Sequence, residues 1–486
     1  MEFWTNLHSE SAVAAVDPRA GRQWSYGELW ADVEALRDEL PRLGRKSLGV
    51  LVAQNRYQSL TVYLAALQAG CALILLDASL NPDLLREFLA IYQPDWLFAE
   101  GWKAVVPGFR ECRRDVPGLL ENESPRNIEV HSDLALLLTT SGSTGSPKLV
   151  RLTRANLAAN ARAIARYLEL TPQERPITSL PMSYSYGLSV INSHLAVGAS
   201  IVFTDDGVLQ RNFWEAVSRY QCTSFAGVPY TYQMLLQTGL LKSKGATLHM
   251  LTQAGGRLEE RYIQQMYELS GACGRKFFVM YGQTEATARI SYVPFEKLGS
   301  KIGSVGIAIP DGTLSVDDVT DELIYRGPNV MMGYAESRED LGKGDELNGV
   351  LRTGDLARRD DEGYFYITGR LKRFLKMFGK RFNLDDAEKL LNQRLGVSVA
   401  CYGRDDLLTV AAKHSNDANA IHSMVCETFD LPRPAVKVIA VTELPRTANG
   451  KLDYKRLTEA GVENSVVVTA KVTCRKKQQI QKCGTP

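Results

Sequence analysis

Apolar residues recur at helical spacing through WSYGELWADVEALRDELPRLG (residues 24–44), which predicts an amphipathic helix closing on a glycine. SLGVLVA (residues 47–53) is a short apolar run of strand length. The most apolar long stretch is LTVYLAALQAGCALILLDA (residues 60–78), but Gln68 and Gly70 interrupt it. It therefore reads as a buried helix, a turn and a buried strand, not as a membrane span. The alternation continues through LALLLTT, a loop, ANLAANARAIARYL, ASIVFT, FWEAVSRY and TSFAGV. Strands alternating with helices predict α/β architecture with parallel sheets buried on both faces.

The texture changes near Asp311. DELIYRG, VLRTGDLARRDDEG and GYFYITG are short strands joined by Gly and Asp turns, which predicts a small β-rich subdomain. Beyond Gly369 the pattern is mixed. Helix AEKLLNQRL, strands VSVACYG and LLTVAAK, helix ANAIHSMVCETF and strand AVKVIAV suffice for a separate α+β domain of about a hundred residues. The charged run GRLKRFLK (residues 369–376) is expected to link the two. The predicted division is residues 1–369, 370–463 and a basic tail of 464–486.

Composition narrows the class. The 486 residues are 45% hydrophobic and 23% charged, as in a multidomain globular protein. The net charge of +2 hides an asymmetry: the tail holds five basic residues and no acid. The remaining chain has 52 Lys and Arg against 55 Asp and Glu, so nothing in its charge calls for nucleic acid. Eight cysteines are scattered without CxxC spacing or a nearby His, which predicts reduced, buried thiols rather than a metal site. MEFWTNLHSESAVAA lacks the basic start and apolar core of a signal peptide, so a cytoplasmic enzyme is expected.

The apolar strand of residues 134–139 runs into TSGSTGSPK. Gly142 and Gly145 let backbone approach a ligand, Ser141, Ser143 and Thr144 offer hydroxyls, and Lys148 adds a point charge. Successive N–H groups in such a turn form an anion nest suited to a triphosphate. Read alone, the loop is equally a flexible Gly/Ser linker. It is not a GxxxxGK[ST] loop, because the glycines are too close and Pro147 precedes the lysine.

The loop resembles the phosphate loop of the adenylate-forming superfamily: acyl-CoA synthetases, amino-acid adenylation domains and luciferases. Four more segments match that family in order: YGQTEAT (281–287), YRGPNVMMGY (325–334), RTGDLARRDDEGYFYITGR (352–370) and LPRTANGKLDY (444–454). The resemblance implies ATP-dependent conversion of a carboxylic acid to acyl-AMP with pyrophosphate release, then transfer to a thiol. Because anion meets anion, such a site needs positive charge and Mg²⁺. It implies ATP contacts from Thr140, Ser141, Gly142, Ser143, Thr144, Gly145 and Lys148. Gly255, Gly256 and Tyr281 fall where the family sandwiches adenine, and Gly282 is a further implied ATP contact. Thr284 matches the α-phosphate contact, Glu285 the metal ligand, Asp355 the ribose ligand and Arg370 a ribose or phosphate contact. Lys451, after the Asn449-Gly450 turn, resembles the lysine of the mobile C-terminal domain that bridges carboxylate and α-phosphate.

Lys372 matches the hinge position, and Lys376 falls where thioester-forming relatives carry a second-step lysine. Read bare, both belong to a solvated basic run. Leu384 stands where many relatives have proline, which leaves the acceptor tunnel open. LPMSYSYGLSV (180–190) matches the acyl pocket, with Tyr184 at a common His position. Gly187 follows the aromatic where amino-acid activators place an Asp, which favours an acid without an α-amino group, since an unpaired ammonium would lose its hydration. Gly187, Ser189, Val228 and Tyr230 are expected to shape the pocket. The resemblance gives the acceptor as CoA or the phosphopantetheine of a free-standing acyl carrier protein. Two rivals stand beside an AMP-forming acid–thiol ligase: an enzyme that stops at acyl-AMP or oxidises it, and a non-catalytic binding homologue. Retention of Glu285, Asp355, Arg370 and Lys451 speaks against the second.

Overall fold

Six consecutive buried residues make Leu48–Ala53 a strand covered on both faces, and it organises an eight-stranded sheet. Ala72–Asp77, Trp96–Phe98 and Leu134–Thr139 lie parallel around it. The rest of that sheet is antiparallel: Leu149–Thr153 and Gly333–Ala335 on one side, Leu119–Asn122 and Phe109–Glu111 on the other. A nine-stranded sheet likewise has a parallel centre, from Lys276–Tyr281 through Met250–Gln253 and Ser224–Gly227 to Val13–Asp17. Antiparallel strands close both its edges. Both sheets are thus mixed, where the helix–strand alternation predicted parallel ones. The added strands are too short to announce themselves by periodicity.

The computed structural model describes residues 2–458 except 6–7, 42, 101–107, 112–115, 128, 140–147, 372, 378–379, 405, 414–417, 430, 448–450 and 455. Its chain divides into two compact units, Met1–Thr368 and Gly369–Pro486. In the first unit, helices Tyr26–Glu39, Tyr57–Ala69, Arg154–Tyr167 and Ser185–Ala196 fill the space between the two sheets. Arg211–Arg219, Pro229–Thr238 and Glu260–Ala272 cover the outer face of the nine-stranded sheet, and Pro82–Tyr92 covers that of the other. The β-rich segment forms its own four-stranded sheet of Thr313–Val316, Glu322–Arg326, Val350–Arg359 and Phe365–Arg370.

Local sequence explains where elements start and stop. Ser25 and Glu28 form a reciprocal capping box at the first helix, worth about 1 kcal/mol. That helix ends at Glu39, five residues before the predicted glycine stop, because Pro41 disfavours helical backbone at Leu40. The apolar stretch after Leu60 is a buried helix to Ala69, a left-handed Gly70 and the buried strand Ala72–Asp77. Among the described residues no helix is long and apolar enough to cross a membrane.

In the second unit, helices Leu384–Leu395 and Ala418–Phe429 pack with a sheet of Val399–Arg404, Leu407–Lys413 and Val436–Val441. The charged run expected as a linker is largely ordered strand. Its start belongs to Phe365–Arg370, and its end lies in Phe374–Met377, which pairs with Lys380–Asn383. Leu375 and Met377, on either side of Lys376, are both buried, so period-two burial decides over charge density.

Candidate active site

Strand Leu134–Thr139 ends at the phosphate-loop residues, and the chain returns antiparallel as Leu149–Thr153, with Thr139 opposite Leu149. The loop therefore joins a hairpin, whereas the sequence reading ran it directly into a helix. That helix begins only at Arg154, behind the capping hydroxyl of Thr153. Thr140, Ser141, Gly142, Ser143, Thr144 and Gly145 lie outside the described residues. Lys148, at the loop's exit, sits 3.7 Å above the Tyr334 ring and 3.3 Å from Glu336.

Tyr334 lies on the edge strand Gly333–Ala335, opposite Val150. Its hydroxyl donates to Glu285 Oε1 at 2.8 Å. Burial, then the Glu285 carboxylate, pushes the Tyr334 phenol well above its ordinary pKa, so it remains a donor. Glu285 sits in the short 3₁₀ turn Thr284–Ala286, which follows strand Lys276–Tyr281. Its Oε2 has no protein partner among the described residues. Buried Thr284 places Oγ1 3.2 Å from Ser185 Oγ at the start of helix Ser185–Ala196.

The other carboxylate is Asp355, buried on strand Val350–Arg359. Tyr281 Oη donates to its Oδ2 at 2.5 Å and Gln283 Nε2 at 3.1 Å. Gln283 also donates to the Thr353 carbonyl at 2.9 Å, fixing the strand end against the β-rich sheet. Sequence reasoning passed over Gln283 and Tyr334; their places inside YGQTE and MMGY were the available signal. One stretch of five residues, Tyr281 to Glu285, thus joins both acids.

Around the acyl segment, Gly255 has φ +83° and lies under Tyr184, where a Cβ would stand 2.6 Å from the phenol oxygen. Val228 closes the same corner, its Cγ1 3.2 Å from that position. Gly256 accepts from Gln253 Nε2, Gly282 follows the strand end, and Tyr230 is exposed. Gly187 is buried where a Cβ would meet the Pro181 carbonyl at 2.2 Å, and Ser189 donates to the Tyr186 carbonyl at 2.7 Å.

Arg370 and Lys451 belong to the second unit. Arg370 is exposed at the end of its strand, its carbonyl accepting from Arg373 N. Lys451 is half-buried in a hairpin closed by the Arg446–Leu452 bridge, with its carbonyl accepting from Thr447 N at 2.8 Å. Lys372 lies outside the described residues. Lys376 stands opposite Arg381 in its strand, and its side chain too lies outside them.

The chain as a whole is similar to known proteins. The model of the AMP-binding enzyme family matches residues 3–335. An indoleacetate–CoA ligase of Aromatoleum aromaticum is 28% identical over 477 residues, covering 89% of this chain and 92% of that protein. A sulfoacetate–CoA ligase of Cupriavidus necator is 26% identical over 487 residues, covering 91% and 93%. Among solved structures, ATP-bound MatB from Rhodopseudomonas palustris aligns with a TM-score of 0.76 at 23% identity, over 95% of this chain and 98% of that one. The o-succinylbenzoate CoA synthetase of Bacillus subtilis, in complex with its acyl-adenylate, aligns at 0.75 and 21%, over 94% and 97%. At such identities the structures speak to the α/β fold alone; the family match covers more than two thirds of the sequence, and the chain belongs to the AMP-binding enzyme family.

Proposed function

We propose that the residues gathered around Tyr281–Glu285 bind ATP and activate a carboxylic acid, in an AMP-forming acid–thiol ligase. The observation that carries the assignment is the pair of oriented carboxylates at the two ends of one five-residue stretch. Asp355 is held by Tyr281 and Gln283, and Glu285 by Tyr334. A buried carboxylate held in place by two donors is a rigid acceptor for ribose hydroxyls. Glu285 keeps an oxygen for a hard cation, and no cluster of three or more metal-ligating side chains exists among the described residues. A single carboxylate completed by phosphate oxygens is how Mg²⁺ is commonly held, so the donor set fits. When bound, the ion neutralises charge on the triphosphate.

The reaction has two displacements. A carboxylate oxygen of the acid attacks the α-phosphorus, the bond to pyrophosphate breaks, and acyl-AMP forms. The acceptor sulfur then attacks the acyl carbon and AMP leaves. Thr284 and the loop of residues 140–148 orient the phosphates, and Lys451 supplies positive charge between carboxylate and α-phosphate. Arg370 assists at ribose or phosphate, Lys372 is the hinge, and Lys376 serves the thiol step. Gly255, Gly256, Tyr281 and Gly282 border the adenine; Tyr184, Val228 and Tyr230 border the acid.

CoA is the acceptor favoured by the relatives, and the phosphopantetheine of a separate carrier protein is the alternative. A cytoplasmic setting agrees with the five free thiols among the described residues. Relatives named for indoleacetate, sulfoacetate and oxalate differ widely in their acids, so this chain's acid is set by its own pocket. Pyrophosphate release over a panel of acids, with CoA and with a pantetheinylated carrier protein, tests the reading. Release that depends on acid and Mg²⁺ and yields a thioester supports it. An acyl-AMP that no thiol accepts would leave adenylation standing and remove the ligase.

A further inference from the structure

Arg289 is 1% exposed, yet its guanidinium is left incomplete. Nε and Nη1 have no hydrogen-bond partner, and no ion pair joins it to a carboxylate among the described residues. The cation lies 4.1 Å above the face of buried Tyr186. It also borders Tyr167, whose phenol burial drives upward in pKa and Arg289 draws back down. A buried cation without a counter-charge is expensive to maintain, and folded proteins rarely keep one without use.

The backbone is arranged to put it there. Thr287 and Ala288 have φ of +57° and +117°, a conformation that side chains with a Cβ seldom adopt. Asn329 holds this turn, donating to the Ala286 carbonyl at 2.7 Å and the Arg289 carbonyl at 2.8 Å, while Thr287 donates to the Asn329 carbonyl. Strained backbone followed by an unpaired interior charge is the signature of a ligand position, not of a packed core.

Arg289 faces a small void bordered by Ile164, Val190, His194, Ser224 and Thr252. No acid lines it. His194 is kept neutral by burial, its pKa lowered to about 4; it contacts the Val190 carbonyl through Nδ1 and Ser224 Oγ through Nε2. Tyr186 is held against Thr252 by its hydroxyl. The void is therefore apolar and hydroxyl-lined with one fixed positive charge. Arg289 is also close enough to Tyr184, on the acyl segment, to draw its phenol pKa down against burial, and Ser185 between Tyr184 and Tyr186 touches Thr284.

We propose that Arg289 binds a second anionic group on the acid substrate, so that the enzyme activates dicarboxylic or sulfonated acids in preference to monocarboxylic acids of equal length. The proposal rests on the adenylation reading above. Carboxylate and sulfonate each accept charge-assisted hydrogen bonds, which a guanidinium with unpartnered N–H groups can supply. The void holds little more than one water as it stands, so the tail anion reaches Arg289 by moving the side chains that line it, while the reacting carboxylate stays at Thr284. Neither anion is consumed at the Arg289 end.

Matched dicarboxylic, ω-sulfonic and monocarboxylic acids provide the test, using full-length wild type, Arg289→Met and Arg289→Lys. In pyrophosphate release, the wild type should favour the doubly anionic acids, and Arg289→Met should lose about 100-fold in kcat/KM for these alone. Arg289→Lys should fall between the two. Arg289→Met should also melt no lower than wild type, since it removes an unpaired buried charge. Titration calorimetry with the dicarboxylic acids, run without ATP, separates the two readings. Binding that Arg289→Met abolishes supports the anion site even if no acid is turned over, in which case adenylation alone fails. Wild type that binds no doubly anionic acid overturns the site, as does an Arg289→Met that melts lower and loses both acid classes equally.

Discussion

The Tyr334 hydroxyl donates to Glu285 Oε1 at 2.8 Å while the same ring carries the Lys148 ammonium at 3.7 Å. One aromatic residue on an edge strand thus couples the exit of the phosphate loop to the carboxylate assigned to Mg²⁺. Tyr334→Phe keeps the ring and removes only the donor. Because hydrogen bonds to charged groups are worth about 1.5–3 kcal/mol, the Mg²⁺ concentration giving half-maximal pyrophosphate release should rise about tenfold. Glu285→Gln should lose far more. A Tyr334→Phe enzyme with an unchanged Mg²⁺ titration would show that the phenol does not orient Glu285.

Asp355 makes a different prediction, because its oxygens are aimed by Tyr281 and Gln283. Removing the carboxylate should raise KM for ATP about tenfold for each ribose hydroxyl it holds. The sharper measurement compares ATP with 2′-deoxy- and 3′-deoxy-ATP. Wild type should discriminate against both, and Asp355→Ala should treat all three alike. Discrimination that survives in Asp355→Ala would move ribose recognition elsewhere.

The fold and the motifs of the candidate site were legible because each signal was local. A strand shows itself by consecutive burial, as in Leu48–Ala53, and the five family motifs are contiguous strings. What escaped depends on contacts between distant segments. Leu149–Thr153 is five residues long and pairs with Leu134–Thr139, so nothing within it separates a return strand from a loop. Gln283 looks like any polar motif residue until Asp355, 72 positions away, is beside it. Nothing in the sequence singles out Arg289, which is buried just after the positive-φ turn at Thr287–Ala288. Gly187 was read as pocket lining because of its motif position, and its close approach to the Pro181 carbonyl is invisible to spacing.

Lys451 carries the bond-making charge in the proposed first step, so Lys451→Ala should slow adenylation about a thousandfold while ATP still binds. The hairpin bearing it is fastened inside the second unit. Tyr454 Oη lies 2.9 Å from Arg373 Nη1 and donates to Glu388 Oε2 at 2.9 Å, and the Arg373 ring of contacts includes Asp385. Arg373 immediately follows Lys372, the proposed hinge, so one part-buried network ties that position to the hairpin. Tyr454→Phe should therefore lower kcat for adenylation with little change in KM for ATP. Normal pyrophosphate exchange by Lys451→Ala would sink the catalytic assignment.

His194 gives the enzyme a measurable acid sensitivity. Burial holds its pKa at about 4, against an unfolded value near 6.5. The backbone carbonyl of Val190 and the carboxylate of Glu174 pull the other way without overcoming burial. Between those two pKa values the unfolded chain binds a proton that the folded chain refuses, so stability rises with pH across the window. As pH falls from about 6.5 to about 4, folding should lose on the order of 3 kcal/mol from this residue. Asp317 and Asp340, held down at about 2 by their hydrogen bonds, contribute only at lower pH. Urea unfolding of His194→Leu should flatten the slope within the window even though the variant is less stable at neutral pH, where Ser224 has lost its partner. An unchanged slope would mean that His194 already titrates normally in the folded protein, and the neutral lining of the Arg289 void would have to be abandoned with it.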